Sequence, residues 1–599
     1  MDDGHTESNR KTAGYDWETT NRLVSRIAST DRDVDAVPVI RDLLVSHAEA
    51  LWYELRDMGT RQRGQALSVH RACVDALFNI LCHYYPDSGV AALAILDVLL
   101  WRRRLASAFE ATGLGLSRVD PARASRVSDF YSYRRQYADW EWSSPDLRAL
   151  PNRRVGGDLE VLPDSIYDRP EYDELWSNAF ADLEFTDYTK IFPEISALEV
   201  TQRLPKGGAL VEYWRAESLR DTSGQLAPRY FAVGISGPDP VHAAVIDLCS
   251  ASEVDHAVER FLRDVDGLGW SHEAALTVRQ LVFDRLPDFA RKASRIQIVP
   301  AGRIALIPFA ALPDKNGYLI DRLCISHLQS GQDLARTKGL SSTSSSPVVI
   351  AAPAYSLSKQ TESVQWPPLP GSAKESTEVA ELLGVRPIVD VAATAEELLG
   401  VRSPRILHIA THGDYLDARP YSVTIDAMHP TAETQSVWLF ADNLRRLAGR
   451  PISYPELRSI LALAGANDWL SGVVLDGKFG RGHVTGEDLA NLDLDGTELV
   501  VLSACSSGAG ETSLERGMVG LRSALSIAGT RTLIMSLWKI DDEATHELMM
   551  HFYAGLDRGL LRSDALRNAQ LSVRQHYNDP RDWGAFIMEG QDDRFNLTK

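Results

Sequence analysis

The sequence predicts an α/β fold, built on a mostly parallel sheet with helices on both faces and preceded by an α-helical N-terminal region. Three observations predict it. In residues 346–599 short apolar runs alternate with helical patterns: Val348–Ala352, Ile406–Ala410, Ser471–Leu475, Leu499–Leu502 and Thr532–Leu537 read as strands, and Lys374–Leu383, Gly520–Ile527 and Glu543–Leu556 as helices. Unbroken apolar runs of this length suit parallel strands buried on both faces. From Thr19 to Thr112, by contrast, apolar residues return at helical spacing. Finally, two of the buried runs end in residues that carry chemistry, Thr411-His412-Gly413 and Ala504-Cys505. The carboxyl end of a buried strand is where an open α/β sheet presents reactive groups.

Taken in order, residues 1–15 read as a disordered lead-in and residues 16–190 as a mainly helical region of regulation or recognition. Val39, Ile40, Leu43, Leu44 and Ala48 recur at helix spacing; Ala72, Leu77, Ile80 and Leu81 do the same, and Val90–Phe109 forms a third run. No repeat of the ~34-residue helical-hairpin kind stands out. The aromatic segment Phe130–Trp142 reads as interdomain packing rather than a base-stacking surface. Residues 195–340 turn strand-rich, with strand candidates at Ala209–Trp214, Tyr230–Gly234 and Ala243–Leu248. A helical stretch, Val258–Leu286, breaks near Gly267–Gly269. Ile296–Phe309 then reads as strand, Pro-Ala-Gly turn and second strand. Between the histidine strand and the next strand, residues 419–468 form an insertion that contains Ser436–Ala441 and a helical stretch, Tyr454–Ala464.

Composition narrows the function. The 599 residues are 44% hydrophobic and 24% charged, the profile of a folded water-exposed protein. A net charge of −19 argues against a general nucleic-acid binder, which needs a concentrated basic surface. Every apolar run is interrupted before membrane-spanning length, and the acidic start Met1-Asp-Asp-Gly-His-Thr-Glu does not read as a secretory signal. Cys73, Cys82, Cys249, Cys324 and Cys505 form no close-spaced metal or disulfide pattern, so a cytoplasmic location is expected.

A thiol at a strand end needs an imidazole near it in space to become a nucleophile, and the second strand end supplies His412. The glycine that follows it permits close backbone approach. Together His408-Ile-Ala-Thr-His-Gly413, Leu499-Val-Val-Leu-Ser-Ala-Cys505, Ala528–Thr545 and Trp583–Gly590 resemble the CHAT domain, a caspase-like branch of the caspase, separase and gingipain clan of cysteine peptidases. The resemblance runs from Ile195 to the C-terminus. It implies a caspase-like three-layer sandwich, a catalytic dyad of His412 and Cys505, and an oxyanion hole from the backbone N–H groups of Gly413 and Cys505. It also implies a regulated endopeptidase acting on specific protein targets, in a setting such as bacterial antiviral defence, where a gasdermin or another effector would be the substrate. An activator would bind the N-terminal helical region. Asp541 and Asp542, in a segment similar to one of separase, are candidates for a pocket that holds a basic side chain before the cut. Asp542 as the cap of the helix beginning at Glu543 is the competing role.

Rival chemistries lack their parts, so neither a cofactor nor a metal is expected. His408 and His412 lie on a strand with no glutamate set between them as a metallopeptidase requires. The loop Ser507–Glu511 lacks the lysine and spacing of a phosphate-binding loop, and no Gly-x-Ser-x-Gly elbow occurs. The remaining alternative is a non-catalytic caspase-like scaffold.

Overall fold

The structure, a computed structural model, describes residues 60–85, 88–110, 170–180, 195–219, 224–267, 269–315, 317–334, 344–358, 366–415, 459–471, 477–505, 520–538 and 540–595, with a few positions between these spans. The lead-in 1–15, residues 419–458 of the insertion, the glycine loop 507–511 and most of 130–142 lie outside the described residues.

Thirteen strands among the described residues form one sheet. In chain order they are β1 Gly208–Ala216, β2 Arg229–Ser236, β3 Ala243–Ser250, β4 Arg295–Val299, β5 Cys324–His327, β6 Val348–Pro353, β7 Ile388–Asp390, β8 Ile406–Tyr415, β9 Ser459–Ala462, β10 His483–Thr485, β11 Leu499–Cys505, β12 Thr532–Ser536 and β13 Phe586–Gly590. Their order across the sheet is β10-β9-β8-β11-β12-β13-β5-β4-β1-β2-β3, with β6 paired to both β8 and β7. The expectation of a mostly parallel sheet is corrected to a mixed one. Parallel pairing covers the block β7-β6-β8-β11-β12. β13 then runs antiparallel to β12, while β1-β2-β3 and β8-β9-β10 are antiparallel sets. The link from β2 to β3, residues 237–242, is too short for the crossover of a dozen or more residues that a parallel pair needs.

The helices that matter to the site are α1 Thr60–Tyr84, α2 Gly89–Glu110, α3 Pro370–Leu383, α4 Ala466–Leu470, α5 Leu521–Ile527, α6 Asp542–Asp557 and α7 Arg562–Val573. Pro370 opens α3, where a missing N–H costs nothing, and Gly384 closes it in the left-handed region at φ 66°. One face of the parallel block, with Val349, Ile406, Val501 and Ile534, packs on Val379 of α3, Leu548 and Phe552 of α6, and Leu566 of α7. The other face, with Leu407, Ile409, Leu502 and Met535, packs on Leu521 and Leu525 of α5. This gives helix, sheet and helix layers.

The first helices are part of the same body. Phe78 of α1 and Leu96 of α2 share a core with Leu210, Phe231 and Val233 of β1 and β2. The buried carboxylate of Asp75 accepts from Trp214 Nε1 at 2.8 Å and from the N–H groups of Glu217 and Ser218 at 2.9 Å. Arg71 and Arg102 stack on the Trp214 ring.

Local patterns failed at three places. Ile296–Phe309 contains one strand, β4, followed by 3-10 turns at Gly302–Leu306 and Phe309–Ala311 in place of the second strand. Pro300 and Pro308 each remove a ladder donor there. Tyr454–Ala464 is not helical in its described part, because Ser459–Ala462 pairs with β8 as a strand. The strand expected at Ser471–Leu475 is absent at its described positions, and β10 takes the neighbouring edge.

Candidate active site

The two strand ends meet at the centre of the parallel block. β8 and β11 run in register from Ile406↔Leu499 to His412↔Cys505, so Cys505 is the backbone partner of His412. Such partners lie on one face of the sheet, about 4.8 Å apart.

The opposite edge of β8 changes partner at this level. β6 pairs with Leu407–Ala410 and ends; β9 pairs with Gly413–Tyr415. Thr411 and His412 occupy the gap, and side chains satisfy it. The Thr411 hydroxyl donates to the Ala462 carbonyl, and Tyr355 Oη lies 3.0 Å from Thr411 Oγ1. Thr411 has one proton to give, so the Tyr355 hydroxyl is the donor of that pair. Its oxygen in turn accepts the His412 backbone N–H at 3.3 Å. The Tyr355 ring lies against the imidazole, centroids 5.0 Å apart and planes tilted by 51°.

The imidazole itself is buried, with Nε2 at 2.8 Å from the Pro367 carbonyl oxygen. A carbonyl can only accept, so Nε2 carries the proton. A neutral ring then keeps its lone pair on Nδ1, the atom a thiol proton would reach.

His408 lies on the same face two steps deeper and is built differently. It is fully buried, with Nε2 at 2.9 Å from Glu375 Oε1 and Nδ1 at 3.0 Å from Tyr553 Oη. Burial, then the charge of Glu375, pushes the Tyr553 hydroxyl well above its ordinary range, so it stays protonated and donates to the ring. Ser503 Oγ donates to Glu375 Oε2 at 3.2 Å, which ties this cage to β11 two residues before Cys505.

The other four cysteines are poor nucleophile candidates. Burial raises their thiols, to about 11 for Cys73, about 12 for Cys82, about 11 for Cys249 and about 11 for Cys324. None carries appreciable thiolate at neutral pH.

The two aspartates of the candidate pocket are both engaged by backbone. Asp541, not Asp542, is the N-cap of α6: its Oδ1 accepts from the N–H groups of Glu543 at 3.0 Å and Ala544 at 3.1 Å. Asp542 accepts from the Gly371 N–H through Oδ2. Gly413 sits where β9 takes over from β6, paired with Leu461. Sequence reasoning missed Tyr355, Pro367, Glu375 and Tyr553. A backbone carbonyl has no side-chain signature, and the others are ordinary residues placed by contacts distant in sequence.

Residues 272–591, more than half of the chain, match the CHAT domain. Human and mouse tetratricopeptide repeat protein 28 are 26% identical over 313 residues and 25% identical over 315 residues. Each alignment covers 50% of this chain and 12% of the relative, so the chain spans a small part of those relatives' length. Among solved structures, the Arg-specific cysteine proteinase gingipain R aligns at a TM-score of 0.31 and 10% identity, over 58% of this chain and 76% of that one. A Saccharomyces cerevisiae separase–securin complex aligns at 0.37 and 9% identity, over 96% and 41%. With more than half of its length matched to the family's model, the chain belongs to the CHAT domain family.

Proposed function

We propose that this chain is a cysteine endopeptidase in which Cys505 is the nucleophile and His412 its proton-transfer partner. The observation that carries the reading is the register pair His412↔Cys505, at the level where Pro367 fixes the proton on His412 Nε2. Nδ1 takes the thiol proton and the Cys505 sulfur attacks the peptide carbonyl carbon, forming a C–S bond. The backbone N–H groups of Gly413 and Cys505, assigned by the family resemblance, receive the oxyanion. His412 then gives the proton to the leaving amine as the C–N bond breaks. Water adds to the thioester, releasing the acid and restoring the thiol, and no step calls for a metal or cofactor.

The substrates are specific protein targets, and the resemblance suggests a gasdermin or another effector in bacterial antiviral defence, in the cytoplasm. An activator docks on the N-terminal helices; a protein-interaction role there accords with the repeat named in the curated relatives. The residue before the cut is basic and faces the acidic surroundings of Asp541 and Asp542.

A thiol-reactive peptide probe on activated protein tests the reading. Label is expected at Cys505 and lost in Cys505→Ala, together with cleavage of a susceptible protein on a gel. An unlabelled Cys505, or full cleavage by Cys505→Ala, makes the chain a scaffold instead.

A further inference from the structure

The carbonyl that orients His412 belongs to a stiff strut pinned at both ends. The segment is Trp366-Pro-Pro-Leu-Pro-Gly371, and its three prolines each lock φ near −65°. At its start the buried amide of Asn467, on α4, brackets one residue. Oδ1 accepts the Trp366 N–H at 3.0 Å and Nδ2 donates to the Trp366 carbonyl at 3.0 Å. One amide that both accepts from and donates to a residue does the work of a neighbouring strand, fixing the peptides on either side of it. With the Trp366 carbonyl held and φ of Pro367 locked, only ψ of Pro367 still aims its carbonyl at His412. At the far end the Asp542 carboxylate accepts the Gly371 N–H, and a side chain at Gly371 would meet Asp542 Cγ at 2.5 Å. The same short helix also holds the ring on the other side of His412. The Asn467 N–H donates to the Tyr355 carbonyl at 2.8 Å, and Asp468 accepts from the N–H of Ser358 at 3.1 Å.

We propose that Asn467 and Asp542 are positioning residues for His412, clamping the strut so that Pro367 keeps the Nε2–H tautomer and leaves Nδ1 to Cys505. This rests on the Cys505–His412 reading above. Released at either end, the carbonyl swings, the ring samples both tautomers, and the thiolate–imidazolium pair loses its fixed acceptor. The Cys505 thiol then titrates nearer the ordinary value of about 8.5.

The test follows alkylation of Cys505 by iodoacetamide against pH on the full chain, with the modified peptide identified by mass, beside kcat and KM for a susceptible protein. Asn467→Ala and Asp542→Ala are expected to move the midpoint upward by about one pH unit and lower kcat by about 10- to 100-fold, the cost of a displaced catalytic group. For Asn467→Ala, KM should stay within about twofold, because uniform binding is untouched. Asn467→Asp keeps the size but cannot donate to the Trp366 carbonyl, so it should follow Asn467→Ala. Asp542→Asn keeps an acceptor for the Gly371 N–H, so its alkylation midpoint should stay near wild type. If one end fails to fold, the other reads the same strut. A midpoint unmoved by the variants at both ends, while His412→Ala still moves it, overturns the clamp alone. A midpoint unmoved by His412→Ala overturns the dyad, and the clamp with it.

Discussion

His408 and His412 stand four residues apart on one strand and one face, yet their surroundings are built differently. The deeper ring has both nitrogens engaged by side chains, a carboxylate on Nε2 and a protonated tyrosine on Nδ1, inside an apolar layer. It has no lone pair left to offer. The outer ring sits where β8 exchanges β6 for β9, with its proton fixed by a carbonyl and a cysteine as its register partner. A carbonyl orients a ring without supplying a charge that would bind the ring's proton tightly. Residue type is the same at both sites; partner and place on the strand differ.

The largest expected effect breaks that comparison directly. His412→Ala should lower the rate of acylation by about 10²-fold or more, the usual contribution of a positioned acid–base group. His408→Ala should stay within about tenfold of wild type in a single-turnover assay. The reverse ranking would mean that the dyad has been misassigned.

Stability should rank the two the other way. His408→Ala leaves the Glu375 carboxylate buried without its imidazole, and breaking one partner of a buried pair costs about 3 kcal/mol. Removing Glu375 as well should restore part of that loss, because no uncompensated charge then remains. Urea midpoints of the two single variants and the double variant measure the coupling. Additive losses would mean that the cage is not a unit.

How legible this was in the sequence follows the same division. Ile406–Ala410 and Leu499–Leu502 could be read because strands buried on both faces are apolar throughout, and His412 and Cys505 because strand-end residues interrupt that run. The acceptor for His412 is a backbone atom 45 residues away, and Asn467 reaches Trp366 across 101 residues. No local pattern encodes either. Ser459–Ala462 was misread for a related reason. Its apolar spacing satisfies a helix locally, and pairing with Gly413–Tyr415 decides for a strand. The mixed sheet was equally hidden, since a run such as Phe586–Gly590 does not say which way it will lie.

Acid should loosen the outer site's support. His483, on β10, lies against Trp469 of α4 with ring centroids 4.7 Å apart, on the helix that carries Asn467. Burial, then Arg481, lowers its pKa to about 3, against the counteracting hydrogen bond to the Arg481 carbonyl and the charge of Asp488. The unfolded chain therefore takes up a proton that the native chain refuses. Its contribution to stability is complete above about pH 6.5 and is lost as the pH falls toward 3. His327, also lowered to about 3 by burial and then Arg522, adds a term of the same sign. Melting temperature should drop between pH 6.5 and 4, and His483→Gln should flatten the slope. An identical slope in that variant would leave His483 out of the acid response.

The smallest effect concerns a second pair of like residues with unlike settings. Asp542 is half-buried and committed to Gly371, whereas Asp541 is exposed and caps α6. Around Asp541 the surface is crowded with carboxylates: burial, then Asp579, raises Asp582, and Asp541 adds to it. Such crowding is relieved by a cation, which is what a basic side chain before the scissile bond would bring. Asn serves as an N-cap about as well as Asp, so Asp541→Asn removes a charge while keeping the helix start. Activity on arginine peptides in a fluorogenic library should fall about two- to fivefold, the range of an exposed ion pair, with leucine peptides unchanged. Should the best substrates carry leucine or methionine, or should Asp541→Asn leave the arginine preference intact, the acidic surface serves the helix and not the substrate.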